Sequence, residues 1–360
     1  MFITNLWLKL LCSIVIAFVI SFAMTPLVKS FAIKIGAMDV PRDQRRMHNH
    51  PIPRMGGLAI FFGFILTVLL FANITTQLRG VLIGSVIIVM VGAIDDLVTL
   101  SPWAKLAGQV IAAIVAVAHD VVILIFMNPN IFSENQYLIL ETLAIPVTIV
   151  WIVGVTNAVN LIDGLDGLAC GVSTIASLTM FVVALLVSES NVAVVLAALM
   201  GACLGFLPYN MNPAKIFMGD TGALLLGYLL ATTSVVGMFK FYAVVTFLVP
   251  VLALALPLFD TLFAIIRRVL RGQSPFHPDR GHFHHRLMDM GLNQKQAVAI
   301  MYAISALLGL SAVVVVSAGK LRLILLVFAV LVALPLGRYI HATLKHHEST
   351  EKEHPDHEEN

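Results

Sequence analysis

Asn157–Ala169 reads NAVNLIDGLDGLA, two amides and two carboxylates in a chain that is 59% apolar. Polar groups this dense between long apolar runs are costly in or near lipid, so they point to a functional site. Asp163-Gly164 and Asp166-Gly167 alternate an oxygen ligand with a residue that lets backbone come close. In a helix, Asn160 and Asp163 share a face, and so do Asp163 and Asp166. The alternative is a polar turn joining two membrane helices.

Four further clusters carry chemistry. Asp95-Asp96 closes an apolar run, MVGAIDDLVTLSP. Adjacent carboxylates repel each other, and a divalent cation or a shared proton relieves the repulsion. At a helix C-terminus they also oppose the helix dipole, which makes a plain solvated terminus less comfortable. Tyr209–Gly227 reads YNMNPAKIFMGDTGALLLG. Asp220 there is either a metal ligand or the cap of the helix that follows. That helix start, flanked by Gly219 and Gly222, could offer N–H groups to phosphate oxygens. Asn210, Asn212 and Lys215 could contact a base or a phosphate.

Ser274–Gly291 holds four histidines and two arginines between His277 and Arg286. His282, His284 and His285 could ligate a transition metal, but Arg280 and Arg286 would repel it, and a cationic cluster suits a pyrophosphate better. Asp39–Gly57, DVPRDQRRMHNHPIPRMGG, has three prolines and a closing Gly-Gly and reads as a structured basic loop. Its Arg42, Arg45, Arg46, His48 and Arg54 serve either a ligand or anionic headgroups. Asp260 sits inside an apolar helix seven residues before Arg267; it should face the bundle interior and could pair with a basic group.

These groups have to be positioned by membrane helices. Mean hydropathy is +0.96 and 12% of residues are charged, against about 25% in a soluble domain. Eleven stretches are candidate crossings: Leu6–Val28, Gly56–Ala72, Gly80–Ile94, Leu106–Met127, Leu143–Val155, Leu168–Val187, Val192–Tyr209, Gly222–Gly237, Ala243–Ile266, Ala297–Ser317 and Leu321–Ile340. The expected fold is an all-α polytopic membrane protein, one integral domain over 1–340 and a disordered His- and acid-rich tail over 341–360. The first stretch lacks a small-residue cleavage site and reads as a retained helix. Cys12, Cys170 and Cys203 are odd in number and lie in or beside apolar segments, so they read as core residues and not as a disulfide or zinc framework. With alternate loops on opposite faces, 17 of the 22 Lys and Arg residues fall on one face. That face is expected to be cytoplasmic, with the N-terminus outside and the C-terminus inside. Every polar cluster lies on the same face. A transporter would instead place ionisable groups at mid-membrane in paired halves; only Asp260 comes near, and there is no internal repeat.

Carboxylates for Mg²⁺, amides, glycine-flexed loops and a cationic cluster suit phosphoryl transfer from a diphosphate substrate. The motifs DVPxxRRxHxxPIPRMGG, GAIDD, NAVNLIDGLDGLA, NPAKIFMGDTG and HFHHR, in this order over residues 39–286, resemble the polyprenyl-phosphate N-acetylhexosamine-1-phosphate transferase superfamily. The interrupted histidines of HFHHR resemble its undecaprenyl-phosphate GlcNAc-1-phosphate transferase (WecA/TagO-type) branch. The branch that moves phospho-MurNAc-pentapeptide typically has three consecutive histidines followed by an acid. The resemblance implies a bacterial inner-membrane enzyme that passes GlcNAc-1-phosphate from UDP-GlcNAc to undecaprenyl phosphate, for teichoic acid or surface polysaccharide. The alternatives are the MurNAc-pentapeptide reaction or another UDP-HexNAc donor. It implies Mg²⁺ as cofactor, with Mn²⁺ as a substitute, membrane lipid and a second copy of the chain as partners, and no nucleic acid. Carried over by position, Asp95 would activate or orient the lipid phosphate and Asp96 would support metal or phosphate positioning. Asp220 and Asn160 would hold the metal. Asp163, Asp166, Asn210 and Phe217 would surround the uridine, with Asn157 also binding substrate. His282, His284, His285 and Arg286 would hold the diphosphate and sugar, and Arg46 and His48 would close the site.

Overall fold

Each apolar run becomes a helix where a side chain can cap its start and a bend can stop it. A computed structural model describes residues 5–40, 50–127, 137–238, 243–272 and 282–317, together with 319, 322 and 324–326. Among these residues the α-helices are α1 (Leu6–Ile35), α2 (Gly57–Phe71), α3 (Thr76–Val98), α4 (Pro102–Ala118), α5 (Ala144–Leu161), α6 (Leu168–Leu186), α7 (Ser190–Asn210), α8 (Gly219–Met238), α9 (Ala243–Ala253), α10 (Ala255–Leu270), α11 (Phe283–Asp289) and α12 (Gln294–Val316). Asn5, Thr75 and Ser101 cap α1, α3 and α4 by accepting backbone N–H groups, and Asn293 with Gln296 forms a capping box on α12. Gly36, in the left-handed region, ends α1.

Seven of the described helices, α1, α3, α5 extended by its leading turn, α6, α7, α8 and α12, are long and apolar enough to cross a bilayer. The chain is a polytopic membrane protein. α6, α7 and α8 form the bundle's centre and are its most buried spans, whereas α1 lies at the periphery. On α1, Trp7, Leu11, Val15 and Val19 are exposed, as a lipid-facing stripe requires. Cys170 and Cys203 are buried thiols, Cys12 is half-buried, and none forms a disulfide.

Two expectations change. The stretch Leu106–Met127 is not one span: α4 stops at Ala118, Asp120 takes a positive φ, and Ile125–Met127 (β3) pairs antiparallel with Tyr137–Ile139 (β4). The polar His119-Asp120 pair and the β-branched Val121, Val122 and Ile123 favour that exit. Ala243–Ile266 divides into α9 and α10 at Leu254. Pro257 has no N–H for the carbonyl of Ala253, so the ladder breaks there. The described parts of the loop Asp39–Gly57 are non-helical up to Gly56, as expected: Met38–Asp39 (β1) pairs with Ile52–Pro53 (β2), and Gly57 opens α2. Arg46, His48, the segment Leu321–Ile340 (apart from residues 322 and 324–326) and the tail 341–360 lie outside the described residues.

Two close approaches place the start of α8 against its neighbours. A Cβ on Gly57 would strike the backbone of Thr221 and Gly222, and one on Gly92 would strike Thr221. α2, α3 and α8 can therefore meet backbone to backbone at that level. The ends of α3, α5 and α8, and with them the polar clusters, converge there.

Candidate active site

The acidic pair on α3 lies inside the last helical turn, and its two members do different things. Asp96 reaches across to α8. Its Oδ1 accepts the N–H of Asp220 at 3.0 Å, and its Oδ2 accepts the N–H of Thr221 at 3.1 Å and the Thr221 hydroxyl at 2.6 Å. A carboxylate at a helix N-terminus satisfies orphan donors and complements the dipole. Asp96 is thus the cap that Asp220 was expected to provide as one option. The N–H groups expected to meet a phosphate are already engaged by this carboxylate. Gly219, at φ 69°, leaves space for it, since a Cβ there would fall 2.6 Å from Asp96 Oδ1.

Asp95 faces the other way. Its Oδ1 accepts the Leu100 N–H at 2.6 Å and its Oδ2 accepts Lys105 Nζ at 3.1 Å. The same ammonium donates to Asp220 Oδ2 at 2.6 Å, and Asn160 Nδ2 donates to Asp220 Oδ1 at 3.0 Å. Lys105 therefore ties α3 to α8 from the first turn of α4. Sequence reasoning missed it. The available signal was its position: the sole cation between residues 95 and 105, one turn after the Ser101-Pro102 helix start.

The carboxylates of NLIDGLDG do not extend the helix. α5 ends at Leu161, so Asn157 and Asn160 are helical while Asp163 and Asp166 lie in the turn beyond. Asp166 Oδ2 accepts Asn212 Nδ2 and the Ala214 N–H, each at 3.0 Å, which staples the turn to the segment before α8. Asn212 also donates to Gln294 Oε1 at 2.6 Å, and Tyr302 donates to the Gly167 carbonyl at 2.5 Å, so α12 braces the turn from the far side. Asn157 lies a turn deeper than Asn160, paired with Gln109 of α4.

These elements enclose a cavity of about 310 Å³. Asp96, Asn160, Asp163 and Asp220 line it together with Asp166, Asn210 and Phe217, and Gln294 and the ion pair Asp39–Arg54 also border it. Among the described residues, Asn157, Asp95, His282, His284 and His285 do not line it. Asn210 is buried; its Nδ2 donates to the Ile216 carbonyl at 3.1 Å, and its Oδ1 has no protein partner. Burial, and then the charges of Asp220, Asp96 and Asp166, push the Asp163 carboxyl up to about 8. It holds its proton at neutral pH unless a cation enters.

The donors fit a hard divalent cation. Asp220 and Asn160 are adjacent, half a turn of the Asn160 amide would present its oxygen, and Asp163 adds suppressed negative charge. Mg²⁺ binds through one or two carboxylates and takes its remaining ligands from phosphate and water. Among the described residues no three His, Cys, Asp or Glu side chains form a preformed cage.

The HFHHR segment is less cationic than its composition suggests. Asp260 of α10 accepts His282 Nδ1 at 2.9 Å and the Phe283 N–H at 2.8 Å, so this intrahelical carboxylate anchors the start of α11. That answers where Asp260 finds its partner. His284 is buried with neither ring nitrogen hydrogen-bonded. Burial, then the neighbouring His285, lower its pKa to about 4, so it is neutral at pH 7. Its ring abuts Gly164, where a Cβ would fall 2.5 Å from Nε2. The segment therefore touches the acidic turn through a neutral ring. His285 packs on His284 with ring centroids 4.2 Å apart, and Arg286 borders a separate, mostly apolar groove on α10 and α12.

Residues 78–238 match the sequence pattern of glycosyl transferase family 4. The chain is similar to a probable undecaprenyl-phosphate N-acetylglucosaminyl 1-phosphate transferase of Bacillus subtilis (strain 168), 42% identical over 85% of this chain and 86% of the relative. It is similar to a decaprenyl-phosphate N-acetylglucosaminephosphotransferase of Mycobacterium tuberculosis (strain ATCC 25618 / H37Rv), 38% identical over 79% of this chain and 77% of that one. A phospho-N-acetylmuramoyl-pentapeptide-transferase of Caldicellulosiruptor bescii is 34% identical over 60% of this chain and 70% of its own.

Proposed function

The chain belongs to glycosyl transferase family 4 and is a phosphotransferase, and on that premise we propose that it transfers GlcNAc-1-phosphate from UDP-GlcNAc to undecaprenyl phosphate. The products are UMP and undecaprenyl-diphosphate-GlcNAc, the first lipid-linked intermediate of a teichoic acid or surface polysaccharide. The observation that carries the reading is a single cavity where metal-type oxygen donors (Asp220, Asn160) meet an aromatic ring and an amide suited to a base (Phe217, Asn210). The wide match to N-acetylglucosamine-type relatives and the interrupted HFHHR favour GlcNAc over the pentapeptide donor.

An oxygen of the lipid phosphate attacks the sugar-bearing phosphorus, and the bond from that phosphorus to the UMP oxygen breaks. The acceptor is already an anion, so no strong base is needed. Both Asp95 oxygens are engaged, by Leu100 and Lys105, which favours direct attack over a covalent intermediate on Asp95. Asp95 then acts through Lys105, holding the ammonium beside Asp220. Mg²⁺ held by Asp220 and Asn160 would neutralise charge on the diphosphate. Phe217 and Asn210 orient the nucleoside, and Asp166 keeps the turn in place. The excess of Lys and Arg in the polar loops supports a cavity that opens on the cytoplasmic side of the inner membrane, where UDP-sugars are available.

The test is a donor panel on purified protein in detergent with Mg²⁺ and undecaprenyl phosphate, reading UMP and lipid mass. UMP and a HexNAc lipid diphosphate from UDP-GlcNAc, and not from UDP-GalNAc or UDP-MurNAc-pentapeptide, is the expected result. Turnover with the pentapeptide donor alone would overturn the donor assignment. No UMP from any donor, with folded protein, would overturn the reaction.

A further inference from the structure

Asn157 stands at the head of the most polar motif in the chain but does not reach the cavity. Its amide is instead in reciprocal contact with Gln109 of α4: Gln109 Nε2 donates to Asn157 Oδ1 at 3.3 Å, and Asn157 Nδ2 donates to Gln109 Oε1 at 2.5 Å. Asn157 Nδ2 also donates to the carbonyl of Val153 in its own helix at 2.8 Å, which fixes the rotamer. Gln109 is only 2% exposed.

The spacing gives this pair its meaning. Gln109 follows Lys105 by four residues on α4, and Asn160 follows Asn157 by three on α5, so each pair shares a helix face. The two helices are joined by two rungs. The inner rung is the amide pair Gln109–Asn157. The outer rung is Lys105 and Asn160, which meet on the two oxygens of Asp220. A displacement of α4 along α5 by one residue would break the inner rung and carry Lys105 about 1.5 Å along the axis, enough to break its 2.6 Å bond to Asp220. The other buried residues of α4, Gly108, Ala112, Ala113 and Ala116, carry no polar side chain whose hydrogen bond would choose between such positions. A buried amide pair does choose, since any slip leaves its donors and acceptors unpaired.

We propose that Gln109 and Asn157 are positioning residues. They set the axial register of α4 against α5, and thereby the placement of Lys105 and Asn160 on Asp220. This rests on the phosphotransfer reading only for its kinetic readout. The closing experiment therefore carries a second readout that needs no substrate.

Four proteins are compared in detergent: wild type, Gln109→Leu, the double apolar variant Gln109→Leu/Asn157→Leu, and the exchanged pair Gln109→Asn/Asn157→Gln. The single variant strands an amide and is expected to lose thermal stability. The double variant removes both polar groups and is expected to regain it. If the pair were merely structural, activity would return with stability. If it sets register, kcat with UDP-GlcNAc stays down by about 10- to 100-fold in the double variant. Its Mg²⁺ half-saturation stays raised, while KM for undecaprenyl phosphate changes little. The exchanged pair, which keeps both hydrogen bonds, is expected to recover most of the turnover. In parallel, acetylation of Lys105 by an amine-reactive ester is followed by mass spectrometry. The ammonium clamped between Asp95 and Asp220 should react slowly in wild type and several-fold faster in the stable double variant. A double variant with wild-type stability, wild-type kcat and unchanged Lys105 labelling overturns the inference. Absence of UMP from wild type would count against the phosphotransfer reading, and Lys105 labelling would still decide the role of the pair.

Discussion

The acidic centre and the HFHHR segment are both built from ionisable residues, and the fold treats them in opposite ways. At the acidic centre five carboxylates (Asp95, Asp96, Asp163, Asp166 and Asp220) gather around one ammonium, Lys105. The excess negative charge is kept, and Asp163 holds a proton because of it. In the histidine segment the fold removes charge. Asp260 takes up His282, and burial holds His284 neutral. One region thus keeps the charge that the proposed Mg²⁺ would use, while the other supports its wall through a neutral ring against Gly164. Composition alone suggested an anion clamp of four cationic groups there. In the structure His285 packs on His284, and Arg286 borders the separate groove on α10 and α12.

Asp220→Asn breaks the comparison most severely. It removes the carboxylate shared by Lys105 and Asn160, and turnover should fall at least about 100-fold with an unchanged gel-filtration profile. Near-normal UMP release would sink the role of the acidic centre. Lys105→Met strips the centre of its one ammonium and should lower kcat by about 10- to 100-fold. Lys105→Arg should rescue it poorly, because a planar guanidinium cannot sit between two carboxylates as a point donor does. A full rescue would reduce Lys105 to a charge balance.

Asp260→Leu tests the second region. With His282 and the Phe283 N–H unanchored, KM for UDP-GlcNAc should rise about tenfold, the equivalent of about 1.4 kcal/mol, with a smaller change in kcat. An equal fall in kcat would place this segment in the reacting centre.

A pH-dependent stability measurement, which leaves turnover aside, sharpens the neutral-ring assignment. His284 has a folded pKa near 4 against 6.5 when unfolded. As pH falls, the unfolded chain takes up the proton first. The stability due to the neutral ring is therefore complete above about 6.5 and is lost as pH falls toward 4, on the order of 2–3 kcal/mol. The apparent Tm of wild type relative to His284→Asn should drop across that window. A difference that is flat with pH would mean that His284 is solvated.

The helices and the polar clusters at their ends were legible in the chain, with instructive exceptions. Leu106–Met127 read as a single span because hydropathy does not register a left-handed Asp120, and Ala243–Ile266 did so because hydropathy does not count the missing N–H of Pro257. Asn157 read as a ligand contact because motif membership does not tell which side of a helix faces the cavity. Lys105 was missed because a single lysine at a helix start carries no local pattern. Its partner Asp220 is 115 residues away.

What the sequence determined by itself is what short-range physics controls. Long apolar runs must cross or line a bilayer, caps and glycines mark their ends, and carboxylates and amides that cannot rest in lipid collect beyond them. Which carboxylate caps α8, which one receives the ammonium, and which histidine loses its charge were decided only by tertiary structure. Those outcomes depend on how closely α3, α4, α5 and α8 approach. That distance is set where Gly57 and Gly92 let backbones meet at Thr221 and Gly222, and an ion pair or a buried ring changes its energy over a few ångströms.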